Sequence, residues 1–199
     1  MIPHIEFVYS WIYDNGRREN KLLQEKLKEQ GDTYPSSEEI QKKMKECENN
    51  WRKEEKEILE KLAKIMALSW KEEKIKCYIM GRGKSISDPL TVTLSNKGEQ
   101  FIDTLTHELI HQLQLQNVSR IKKWWEQVNE KYSKEPKLTK NHILLHAVHT
   151  KLLKEIYNEE RLKKNIVKSN DSPDYRLSWK IVSQEGYDNI IKKYLEILQ

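Results

Sequence analysis

The chain has 199 residues, enough for one substantial domain or two small ones, and is 37% hydrophobic and 34% charged. Six Trp, nine Tyr and periodic runs of Leu and Ile exclude a disordered chain and point to a thin, mostly helical protein with charged outer faces. Thirty-six Lys and Arg against thirty-one Asp and Glu leave a net charge of +5, with signs alternating as on solvated helix faces; a nucleic-acid footprint would need clustering in space, so such a partner is possible but not favoured.

The opening Met1-Ile2-Pro3-His4-Ile5-Glu6 lacks the basic patch and apolar stretch of a secretory signal. No apolar run approaches the roughly 20 residues that cross a bilayer. The expectation is a cytoplasmic protein without a membrane partner. Residues 4–30 begin apolar and become a charged helix with Leu22, Leu23 and Leu27 as its stripe. Gly31-Asp32 and Tyr34-Pro35-Ser36-Ser37 break it. With Ser36 as N-cap, Glu39 three residues later completes a capping box. The helix that follows should run through Ile40, Met44, Trp51, Ile58, Leu59, Leu62 and Ile65 to about Ala67. Residues 1–70 thus read as helical scaffold or a possible cover over an active site.

From 74 to 95 the texture changes to β-branched and aromatic residues interrupted by Gly81, Gly83 and Pro89. A strand is expected over 75–80 and a second over 90–95. In the second, Leu90, Val92 and Leu94 alternate with Thr91, Thr93 and Ser95, the pattern of a strand at the exposed edge of a small sheet. Gly81-Arg82-Gly83-Lys84-Ser85 lacks the four-residue spacer of a phosphate loop and reads as a plain hairpin loop. From Asn96-Lys97-Gly98 the chain enters a helix over 99–116. A Trp124-Trp125 helix, a break at Ser133 to Pro136, and a long helix over 139–166 follow. A turn at Asn170-Asp171-Ser172-Pro173 leads to a C-terminal helical segment, 174–199. The fold class is α+β, a helix-rich single domain spanning 1–199. Cys47 and Cys77 imply no disulfide framework or metal spacing and read as small apolar residues.

Within the helix over 99–116, His107-Glu108-Leu109-Ile110-His111 is an HExxH sequence. Positions i and i+4 of a helix lie one above the other, so both imidazoles can reach one Zn²⁺ at about 2.0–2.1 Å. Glu108 lies beside the metal without binding it, where it can take a proton from zinc-bound water. Ile102, Leu105, Leu109 and Leu113 form the apolar stripe of this helix. The bland alternative is a helix carrying two surface histidines and no metal.

Apart from His4, the remaining histidines are His142, His146 and His149. They share one helix face with Leu145, Leu153 and Ile156, so they should look inward and need partners. Catalytic zinc keeps three protein ligands and one open position. The third ligand is therefore expected to be His142 or His146. His146 is placed ahead, because His142 falls in the helix's first turn, where side chains are often more exposed. The other of the pair would support the site, and His149 would be a packed histidine. Should the cluster be structural instead, Glu155, Glu159 and Glu160 are the carboxylate candidates.

The HExxH helix following a small sheet resembles the zincin metallopeptidases, a superfamily rather than one family. The resemblance covers residues 107–111 and the strand–helix order before them. It implies a zincin-like domain in which an extended peptide or protein substrate pairs along strand 90–95. The extended metzincin pattern is absent, since Gln112-Leu113-Gln114-Leu115 follows His111. In the gluzincin arrangement a second helix offers a carboxylate ligand and, four residues on, an orienting carboxylate. His142 and His146 have that spacing, with histidine in both places.

The expected function is zinc-dependent peptide hydrolysis, with Glu108 as general base and later proton donor to the leaving amine. The alternatives are a DNA-associated or regulatory zincin-like protein, or an interaction module with structural zinc or none. Tyr157, Tyr175 and Tyr187 are candidates for stabilising an oxyanion. Asp103, one turn before His107, is either a partner to that histidine or a helix-start acid, and Trp124-Trp125 is core or a groove wall.

Overall fold

Ile5 and Phe7 alternate with polar neighbours and face inward, which makes His4–Tyr9 a strand, β1. The sequence predicts for residues 4–30 an apolar start that becomes one charged helix. In the computed structural model, which describes residues 1–95, 98–169 and 172–199, β1 is followed instead by two short helices, α1 (Trp11–Arg18) and α2 (Lys21–Glu29). Two apolar alternations are a short signal, and the strand that pairs with β1 lies some seventy residues on.

A four-stranded mixed sheet has the order β1-β2-β4-β3, with β2 at Lys74–Met80, β3 at Ile86–Ser87 and β4 at Leu90–Thr93. β1 and β4 each pair with β2 in parallel, His4 opposite Lys74 and Tyr78 opposite Thr91, while β3 pairs antiparallel with β4. β4 is thus an interior strand, and the exposed edge expected over 90–95 is not there. All four of its residues are buried. Its threonines face inward because their hydroxyls find partners locally: Thr91 donates to the Pro89 carbonyl at 2.9 Å, and the Thr93 and Ser95 hydroxyls meet at 2.7 Å. The outer edge of β1 is closed by side chains. Glu55 accepts from the Ile5 N–H at 2.8 Å, and Arg52 donates to the Ile5 carbonyl at 2.7 Å.

The backbone divides into two compact units. One comprises 2–57 and 72–109, the other 58–71 and 110–199 with Met1. The first holds the sheet, α1, α2 and most of α3 (Ser37–Met66). So residues 1–70 contribute a strand as well as helices. α3 opens on the expected capping box: the Glu39 N–H donates to Ser36 Oγ at 3.2 Å and the Ser36 N–H to Glu39 Oε2 at 2.7 Å. It ends where Ala67 turns to φ 48° and the Leu68 N–H reaches back to the Ala63 carbonyl.

The same unit has a polar knot around Asp14, whose side chain is fully buried. Tyr9 and Tyr34 hydroxyls and Arg18 each donate to its carboxylate at 2.7 Å, and the Gly81 N–H does so at 2.8 Å. A Cβ at Gly81 would sit 2.8 Å from Ile40 and 2.9 Å from Pro35, so only glycine allows this approach.

α4 (Glu99–Leu115) continues from the first unit into the second. The second unit also holds α5 (Val118–Lys131), α6 (Lys137–Ile156), α7 (Glu159–Ser169), α8 (Pro173–Glu185) and α9 (Tyr187–Leu198). α6 is buried on nearly every face from Thr139 to Leu153, as befits a central helix, with α8 and α9 packed against it. The long helix expected over 139–166 is two helices. The Asn158 side chain accepts from the Arg161 N–H at 3.0 Å and starts α7 as a separate element. Gly186, at φ 80°, separates α8 from α9 within the segment 174–199. Asn96 and Lys97 before α4, and Asn170 and Asp171 of the expected turn, lie outside the described residues. Among the described residues no helix is long and apolar enough to cross a membrane.

Candidate metal centre

α4 is anchored by Phe101, Ile102, Leu105, Leu109 and Leu113, all buried. That stripe fixes the rotation of the helix and leaves His107 and His111, one turn apart, partly exposed on another face. One ring nitrogen from each of His107, His111 and His142 lies within 4.8 Å of the others.

The relation between His111 and His142 is the most informative, for their Nε2 atoms are 3.3 Å apart with the rings edge to face. Two nitrogens held by one tetrahedral zinc at about 2.0–2.1 Å are separated by about 3.3–3.4 Å. His142 Nδ1 donates to the Leu138 carbonyl at 2.7 Å, so its Nε2 carries a lone pair. Such a carbonyl acceptor behind a metal-binding imidazole fixes its tautomer and orientation.

Burial keeps these rings neutral, the form that binds metal. It pushes His111 down to about 3, with neighbouring His142 adding to the effect, and lowers His142 despite the Leu138 carbonyl and Asp174. The donor set therefore suits a borderline divalent cation such as Zn²⁺.

His146, placed ahead of His142 from sequence, stands outside the converging group. Its ring stacks on Trp179 at 3.9 Å, and its Nδ1 lies 2.6 Å from Ser178 Oγ. Burial, then His142, His149 and His111, depresses its basicity well below the ordinary value. His142 in turn is buried rather than exposed: α6 begins at Lys137, ahead of the expected start, and the Tyr175 ring packs 4.3 Å from the imidazole. His149 is buried farther along the helix.

Glu108 is buried, and burial alone raises its carboxyl to about 8. It faces the environment of buried Cys77 on β2, whose thiol is pushed up by burial first and then by Glu108. Cys47, half-buried on α3, is pushed up to about 11 by burial, then by Glu46. Both cysteines sit as packed thiols.

The carboxylate candidates for a third ligand are committed elsewhere. Glu155 pairs with Lys61 and Lys151, Glu159 with Lys154 at 2.6 Å, and Glu160 with Lys164 at 2.8 Å. Of the three tyrosines, Tyr175 packs on His142 and His146; Tyr157 lies under the Arg161 guanidinium and Tyr187 under the Lys154 ammonium. Asp103 is buried on α4. Trp124 is a core residue set edge-on against Tyr194.

Ser178 and Trp179 are not among the residues the sequence points to. Ser178 and Trp179 reach His146 from another helix, and no local pattern announces them.

No protein-family model, curated protein or solved structure matches the chain.

Proposed function

We propose that the protein is a zinc-dependent hydrolase acting on peptide bonds, with His107, His111 and His142 as the residues that hold the metal. The single observation that carries this is the pair of Nε2 atoms 3.3 Å apart, with the His142 proton committed to a backbone carbonyl. Without a cation or an intervening proton, lone pairs so close would repel. Three converging histidines match the ligand number of catalytic zinc sites, where structural sites take four.

When bound, zinc would polarise a carbonyl and bring a water's pKa to about 7. The chain's own residues do the rest. His107 and His111 present their rings from one helix face, and the Leu138 carbonyl holds His142 in register. Glu108 is the group that takes and returns a proton. Its burial raises its proton affinity, and a nearby dication would draw it back toward the carboxylate range, so that it exchanges protons near neutral pH. Tyr175, packed on His142, is the tyrosine best placed to meet negative charge that develops at the substrate. Hydrolysis of a carbonyl substrate is the chemistry this donor set and base serve together.

Purified protein should contain one zinc per chain and cleave an unstructured protein such as casein, with cleavage abolished by 1,10-phenanthroline and restored by zinc. Glu108→Gln should keep the metal and lose at least about 100-fold in turnover, the lower end of what a general base contributes. Absence of zinc, or undiminished cleavage by Glu108→Gln, would overturn the proposal.

A further inference from the structure

α1 is built inside out. Its buried residue is Asp14, while Trp11, Ile12 and Tyr13, the three residues that open the helix, are 60%, 77% and 65% exposed. A surface helix ordinarily buries its apolar positions and turns its acids to water, because removing apolar surface from water is the main favourable term in folding. Here the Tyr9 and Tyr34 hydroxyls, Arg18 and the Gly81 N–H all donate to the Asp14 carboxylate. Those four bonds fix the rotation of the helix and with it the outward turn of the three apolar side chains. Three consecutive large apolar residues held in solvent mark a surface that something covers.

Trp11, Ile12 and Tyr13 line a hollow of about 490 Å³ together with Tyr9, Tyr78 and Pro89. All six belong to the unit that holds the sheet. No charged side chain lines the hollow. Its polar groups are donors in waiting: the Trp11 indole N–H and the Tyr13 and Tyr78 hydroxyls enter no hydrogen bond among the described residues. An occupant that complements this lining is uncharged, presents rigid apolar surface, and brings carbonyl acceptors with few donors of its own.

We propose that this hollow is a docking site for a proline-rich segment of a partner protein, bound in the polyproline II conformation. Proline has an apolar ring and no backbone N–H, so such a segment brings acceptors without donors. In polyproline II its carbonyls have no internal partner and stay open to the Trp11 and tyrosine donors. The conformation is formed before binding, so little chain entropy is lost when its rings pack on aromatic faces. A lipid surface is the poorer fit. Interfacial binding sets an apolar face beside lysine and arginine, whereas this lining is concave and uncharged. The inference stands apart from the metal reading, since the hollow contains neither Glu108 nor any of the three converging histidines.

The test titrates the full chain into fluorescein-labelled decaproline, read by fluorescence polarisation, beside a labelled Gly-Ser decapeptide as control. Decaproline should bind and the control should not, with the same isotherm in the presence and absence of 1,10-phenanthroline. Trp11→Ala should weaken binding at least about 10-fold, as loss of an aromatic anchor does. Tyr13→Phe and Tyr78→Phe keep the rings and delete one hydroxyl each. Each should weaken binding about 2- to 10-fold, the span of a single hydrogen bond, and leave the thermal midpoint at the wild-type value, since neither hydroxyl serves the fold. Three results would overturn the proposal. One is no binding of decaproline at about 1 mM. Another is binding that Trp11→Ala leaves undiminished. The last is Trp11-dependent association with phosphatidylcholine–phosphatidylserine vesicles, or with a second copy of the chain in sedimentation, while decaproline stays unbound.

Discussion

His142 and His146 stand one helical turn apart on α6, yet they belong to different layers: His142 turns its Nε2 to His111 at 3.3 Å, and His146 lies flat on Trp179 with its Nδ1 against Ser178. The division has a measurable consequence. His142→Ala removes a converging nitrogen and should weaken zinc binding by at least about 100-fold, more than losing a supporting partner costs. His146→Ala should keep zinc within about 10-fold of wild type and instead lower stability, because it empties a fully packed position. Isothermal titration with zinc and urea unfolding of both variants separate the two effects. Equal loss of zinc in both would show that the layers are not distinct.

Ser178 should matter to His146 and through it to packing. Its hydroxyl is fully buried and lies between the Tyr175 carbonyl at 3.0 Å and the His146 ring. Ser178→Ala leaves a buried ring nitrogen without its partner, which costs about 1–3 kcal/mol. Ser178→Thr retains the hydroxyl but adds a methyl to a closed site, so strain makes it a poor rescue. Urea midpoints should place the alanine variant below wild type by that amount; an unchanged midpoint would mean the hydrogen bond contributes nothing net.

The Ser36 and Glu39 capping box was legible in the sequence because it is local chemistry, and its effect is local too. Ser36→Ala should destabilise the start of α3 by about 1 kcal/mol. Amide hydrogen exchange in the first turn of α3 should accelerate, while exchange in α6 stays at the wild-type rate. Uniform acceleration across both helices would show that the cap is coupled to global unfolding.

What could be read from sequence follows the range of the interaction. The HExxH pair, the α3 cap and the inward face of the 142–149 helix depend on residues three or four apart, and helical periodicity carries them. β1 was missed because its evidence is a parallel partner seventy residues away, while its own apolar alternation spans only Ile5 and Phe7. Alternating Thr residues usually face water and so suggest an edge strand at β4; its interior place comes from pairing with β2 on one side and β3 on the other, while the partners of the Thr91 and Thr93 hydroxyls lie only two residues away. The burial of His142 follows from the same kind of non-local cause: α6 begins at Lys137, ahead of the start near Thr139 that the sequence suggests.

Asp14 provides the pH dependence. Burial pushes its carboxyl up, but the Gly81 N–H, the Tyr34 and Tyr9 hydroxyls and Arg18 together outweigh burial and hold it below the ordinary carboxylate range. A group whose pKa is lower when folded contributes stability above its unfolded pKa, about 3.9, and loses that contribution as pH falls through the folded value. The protein should therefore lose stability on acidification below about pH 4, partly through this one side chain. Asp14→Asn removes the charge at every pH. It should cost at least about 1.5–3 kcal/mol at pH 7, the worth of a single hydrogen bond to a charged group, and flatten the acid limb of the stability curve. Tyr34→Phe should act in the same direction but more weakly, since it deletes one donor of the four. Urea unfolding at pH 7, 4 and 3 for the three proteins checks this. An acid limb as steep in Asp14→Asn as in wild type would assign the acid sensitivity to other carboxylates.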